Sequence, residues 1–160
     1  NQIGSSWAMI AFNLSADSVT CEDSLKPLIA LSDGDSELCF TAHNPHVELI
    51  DESGTSFLWD DCMSFPGTVV RVARHNQINF SFTVEDGSHV TLSDVPLHFA
   101  ELIQHEYDHL QGVTSFNRVK FDIDTGVGIV DRSMFFKNAE YYNKLVDVPY
   151  NPLPPVGTKS

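Results

Sequence analysis

His105-Glu106-Tyr107-Asp108-His109 closes an apolar run that begins near Leu97 and stops at Gly112. On a helix, residues four apart lie on one face. The two imidazoles can therefore grip a single cation, while Glu106, about 100° round the helix, reaches toward a water beside it. Such an arrangement suits metal-assisted hydrolysis. The surrounding residues supply the helix: Ser93 or Asp94 can cap it, Pro96 fits its first turn, and Leu97, Leu102 and Ile103 give it an apolar side.

Outward from that helix the chain reads mainly as strands. Trp7 to Leu14 has the composition of a buried strand, and Ser15 to Gly34 is polar enough for a loop. Glu37 to His43, Val47 to Ile50, Thr68 to Arg74 and Ile78 to Val84 are strand-like. Glu85-Asp86-Gly87-Ser88 forms a hairpin turn into His89 to Leu92. Beyond the helix, Thr114 to Phe121 is expected to return as a strand and Arg132 to Leu145 to form a second helix. A Pro-rich tail, extended from Pro149 to Ser160, ends the chain. The expectation is an α+β fold, with short antiparallel strands packed around a central metal-binding helix. It is read as one domain over residues 1–160, with residues 146–160 as its tail.

A chain of 160 residues is long enough to bury a proper core. Nine Lys and Arg against 22 Asp and Glu give a net charge of -13, which repels phosphate backbones and anionic lipid. Neither nucleic acid nor membrane is expected as a partner, and no apolar run approaches a membrane span. Three cysteines, Cys21, Cys39 and Cys62, are too few and odd in number for a disulfide framework, which points to a reducing compartment. Asn1-Gln2-Ile3-Gly4 resembles neither a signal peptide nor a transit peptide and lacks an initiating Met, so the chain is read as a fragment.

A catalytic metal needs a third protein ligand, with one position left open. The metzincin continuation fails, because Ser115 stands where its last histidine belongs. Glu140, the only Glu after Glu106, is the ligand that a zinc metallopeptidase would need. Cys62 is the stronger candidate: thiolate binds zinc and ferrous iron well, and the residue lies between turn-forming Asp60-Asp61 and Ser64-Phe65-Pro66-Gly67.

With Cys62 included, the sequence resembles the peptide deformylases, whose three motifs are Gly-x-Gly-Leu-Ala-Ala-x-Gln, Glu-Gly-Cys-Leu-Ser and His-Glu-x-Asp-His-Leu-x-Gly. Gln2-Ile3-Gly4 looks like the tail of the first. Asp60-Asp61-Cys62-Met63-Ser64 looks like the second, and His105 through Gly112 matches the third in full. Pro66, Arg74 and Phe116-Asn117-Arg118 also fall in step, so that the resemblance covers roughly Gln2 to Val119.

The resemblance implies one divalent metal, Fe2+ or Zn2+, held by Cys62, His105 and His109. Glu106 would take a proton from the metal's water as it attacks the formyl carbon of a peptide N-terminus, then protonate the leaving amine. The side-chain amide of Gln2 and the backbone N–H of Met63 would meet the developing oxyanion. Asp108 would orient its neighbours. Gly4, Asp60, Asp61, His98, Glu101 and Leu102 fall on the substrate side, and several depart from the pattern. Asp60 and Asp61 replace Glu and Gly, while His98 and Glu101 stand where similar enzymes present apolar residues to the methionine side chain. A carboxylate there must be paired, solvated or protonated.

The function these features imply is removal of the formyl group from newly made polypeptides, N-formylated nascent chains being the partner. Such an enzyme would work in a bacterial cytoplasm or, in a eukaryote, in the mitochondrion or plastid. The chain shows no basic tail for ribosome docking. The alternatives are a deformylase-like protein that keeps its metal as a peptide-binding module, and a zinc metallopeptidase using Glu140.

Overall fold

The computed structural model describes residues 9–15, 23–31 and 37–151. Its strands, in chain order, are β1 (Met9–Ser15), β2 (Glu37–Leu49), β3 (Thr55–Asp61), β4 (Thr68–His75), β5 (Gln77–Thr83), β6 (His89–Pro96) and β7 (Ile129–Asp131). Its α-helices are α1 (Leu97–Leu110), α2 (Arg132–Lys137) and α3 (Ala139–Asn143). The chain divides into two compact units, one of Asn1–Thr55 with His75–Thr114 and the other of Ser56–Arg74 with Ser115–Ser160.

In the first unit a two-residue period makes an antiparallel sheet of order β1-β2-β5-β6. Ile78, Phe80 and Phe82 of β5 are buried and Asn79, Ser81 and Thr83 alternate with them. Val90, Leu92 and Val95 of β6 join the same core. Helix α1 covers that face through Phe99, Ala100 and Ile103, a stripe at helical spacing. Aromatic rings fill the interior: Phe12 lies 6.3 Å from Phe99 between centroids, and Phe40 lies 5.4 Å from Phe82. A 3-10 turn over Asp23–Leu31, inside a stretch expected to be loop, adds Leu25 and Leu28.

Two details of this unit differ from the sequence expectation. The break expected after His43 is a bulge inside a single long strand: the register shifts between His43 and His46, and Asn44 takes φ 48°. The helix also starts later. Ser93 and Asp94 do not cap it, because β6 stays paired through Val95 and Pro96, and the Asp94 N–H donates to Asn79 Oδ1 at 3.0 Å. Pro96 itself is the residue before the helix, with φ -71° and ψ 159°.

The second unit has a sheet of order β3-β4-β7 over a small core of Trp59, Val69, Val130 and Phe135. Trp59 Nε1 donates to the Tyr142 carbonyl at 3.0 Å. Buried Arg71 donates to the carbonyls of Leu145 (2.7 Å) and Lys120 (3.0 Å), tying loops to the sheet. The strand expected over Thr114 to Phe121 is a 3-10 turn, Ser115–Arg118, followed by irregular chain. The long helix expected after Arg132 breaks at Asn138, where φ -133° and ψ 34° interrupt α2 and α3. Most of the Pro-rich tail lies outside the described residues. Among the described residues no helix is long and apolar enough to cross a membrane.

Candidate active site

Helix α1 carries the motif on its last turn and a half. His105 is buried and His109 half-buried, and their Nε2 atoms are 3.0 Å apart with ring planes at 85°. Two imidazole nitrogens bound to one tetrahedral ion at about 2.0–2.1 Å would stand roughly 3.3 Å apart, so the pair is close to the separation a metal requires. Glu106, between them in sequence, is half-buried. The helix stops directly after the motif in a Schellman closure. Val113 N–H donates to the Asp108 carbonyl (2.9 Å) and Gly112 N–H to that of His109 (3.1 Å), with Gly112 at φ 72°. The glycine of the motif therefore ends the helix in a backbone conformation that other residues resist.

One turn earlier, Gln104 fixes the helix to its own unit. Its Oε1 accepts from the His75 N–H and its Nε2 donates to the His75 carbonyl, both at 3.0 Å, with a further bond to the Ala100 carbonyl at 3.1 Å. Sequence reasoning missed this residue. Its one signal was a polar side chain on the buried stripe between Ala100 and Asp108. His98 and Leu102 are exposed and Glu101 is half-buried, so these three lie along the flank of α1 rather than in its packed stripe.

In the second unit, Cys62 is a buried cysteine, outside any disulfide, just past the end of β3. The turn that follows is closed by the Phe65 N–H donating to the Cys62 carbonyl at 3.0 Å, and Met63 projects fully into solvent. Asp60 and Asp61, expected to form a turn, are strand residues, because each carboxylate has a partner that rewards extension. Asp60 pairs with Arg74 Nη2 at 2.8 Å and accepts from Ser115 Oγ at 3.0 Å. Asp61 accepts from the Tyr150 hydroxyl at 2.7 Å and faces Arg132 Nη2 at 3.3 Å. Burial and the neighbouring Asp61 carboxylate push the Tyr150 hydroxyl above its ordinary pKa, which keeps it a donor. Glu140 is exposed on α3 and paired with Lys144 at 3.3 Å, an ordinary surface pair. Gln2, Gly4 and Cys21 lie outside the described residues.

The family model of the polypeptide deformylases matches residues 1–122. The chain is 38% identical over 69 residues to peptide deformylase 2 of Nostoc sp., which is 42% of this chain and 37% of the relative. To the peptide deformylase of Aquifex aeolicus it is 40% identical over 79 residues, 48% of this chain and 44% of that one. The chain thus spans less than half the length of these curated relatives. The crystal structure of the peptide deformylase from Ehrlichia chaffeensis has the same fold, with a TM-score of 0.52 over 74% of this chain and 62% of its own at 19% identity.

Proposed function

Because the chain belongs to the polypeptide deformylase family, we propose that it is a metal-dependent hydrolase that removes the N-formyl group from the first residue of newly made polypeptides. The observation that carries this reading is the pair of convergent imidazoles on α1 with Glu106 between them. Cys62, His105 and His109 would supply one thiolate and two imidazoles, donors that suit either Fe2+ or Zn2+. A divalent cation there would supply Lewis acidity toward water and the formyl carbonyl.

The chain's own groups do the rest. Glu106 takes a proton from the attacking water and delivers it to the amine nitrogen as the C–N bond breaks, leaving formate and a free N-terminus. The side-chain amide of Gln2 and the N–H of Met63 donate to the developing oxyanion. Gly4, His98, Glu101 and Leu102 face the peptide in this reading, while Asp60 and Asp61 act through the partners that hold them. Such chemistry belongs where chains start with formylmethionine, in a bacterial cytoplasm or an organelle.

The test is formate release from formyl-Met-Ala-Ser by protein loaded anaerobically with ferrous iron or zinc. Glu106→Ala is expected to lower turnover about 10²- to 10⁴-fold while leaving metal content unchanged. Bound metal without formate release would instead make the protein a peptide-binding module. Metal retained in full by Cys62→Ala would exclude Cys62 as a ligand.

A further inference from the structure

We propose that the chain beyond the family match clamps the turn bearing Cys62, with Arg132 and Tyr150 as positioning residues and Asp61 as the handle they grip. The inference rests on Cys62 being a metal ligand. Cys62 opens a short turn that ends at Gly67, and both stems of this turn are held by one residue. The Arg132 N–H donates to the Gly67 carbonyl at 2.8 Å, while the Arg132 guanidinium lies 3.3 Å from Asp61 on the other stem. Tyr150 closes on the same carboxylate oxygen from the C-terminal side, at 2.7 Å.

Each clamping residue is itself held. Arg132 is the first residue of α2, and its guanidinium lies over the Phe136 ring at 5.4 Å. Tyr150 exchanges two hydrogen bonds with Asn143, at 2.9 and 3.1 Å, and its ring meets Phe135 edge-on at 5.6 Å. The family match ends at residue 122, so Arg132, Asn143 and Tyr150 all come from chain beyond it. Asp61, whose charge beside the ligand suggests an obstacle to substrate, is turned toward this segment instead. Fixing both stems fixes the direction in which Cys62 presents its sulfur, and partners of this kind typically change metal affinity by about 10- to 100-fold.

The test uses the full chain and Co2+, whose bond to thiolate gives a charge-transfer absorption independent of turnover. Tyr150→Phe keeps the ring packed on Phe135 and removes only the hydroxyl. It and Asp61→Gly should each weaken Co2+ binding about tenfold or more and alter the thiolate band. The double variant should be no worse than the weaker single one, and Tyr141→Phe should leave both readouts unchanged. Wild-type affinity and band in Tyr150→Phe and Asp61→Gly would overturn the clamp. Absence of a thiolate band in the unaltered protein would overturn it together with the ligand set. An intact band without formate release would leave the clamp standing and remove only the proposed activity.

Discussion

Asp60 and Asp61 are neighbours with the same side chain, and the strand sends them to opposite faces. Asp60 meets Arg74, which is 3% exposed, together with the Ser115 hydroxyl; Asp61 meets a tyrosine and an arginine nearer the surface. Removing one member of a buried ion pair leaves the other charge in a poor solvent. Asp60→Ala is therefore expected to destabilise the protein by about 3 kcal/mol, measured by urea denaturation, since Arg74 is the more deeply buried of the two. Phe80, with 1% exposure in the first core, provides a comparison of another kind. Phe80→Ala should cost about 3–5 kcal/mol through lost transfer energy and the cavity left behind.

At the scale of elements, the ends of helices carry the consequences. Gly112→Ala places a Cβ on a left-handed residue. It is expected to cost about 1 kcal/mol and to disturb the His109 end of α1 before the rest of the helix, as read by hydrogen exchange. At α2, Asp131 accepts from Ser133 and Met134, and these bonds hold its carboxyl below the usual range, the Ser133 hydroxyl contributing most. A lowered folded-state value means that this stabilisation is present above the ordinary carboxyl range and is lost as pH falls through the folded value. The gap in denaturation midpoint between wild type and Asp131→Ala, clear at about pH 6, should narrow steadily as the pH falls below the ordinary carboxyl range.

The elements also show what the sequence made legible. The motif helix, the Glu85 to Ser88 hairpin and strands β4 to β6 could be read because their signals are local: period two, a turn tetrad, and four-residue spacing. Strand β3 could not, since two adjacent aspartates read as turn formers unless their partners are known, and Tyr150 lies 89 residues from Asp61. Asn44-Pro45 likewise reads as a break, yet the pairing on both sides turns it into a bulge. Of the site, the two histidines and Glu106 were visible in five residues. Gln104 and the Arg132 and Tyr150 grip are tertiary facts with no local pattern.

Across the whole chain, charge is divided unevenly. Every arginine, and every lysine except Lys26, falls in the second unit, so the first unit, which bears the motif helix, has almost nothing to offset its carboxylates. A field of that sign gathers cations. If the proposed activity holds, a formyl peptide carrying two lysines should be turned over with a kcat/KM about tenfold above that of its glutamate counterpart at low salt. The difference should shrink toward nothing near 1 M salt, where screening acts within about 3 Å.

The Gln104 amide offers the His75 backbone one acceptor and one donor, which is what a neighbouring strand would offer. At that position a side chain does the work of an edge cover. A segment from another molecule that sought to pair with His75 would first have to displace the amide, so the protein is guarded there against strand-to-strand aggregation. Gln104→Leu should accordingly speed exchange of the His75 amide proton and raise the tendency of concentrated protein to form β-rich aggregates.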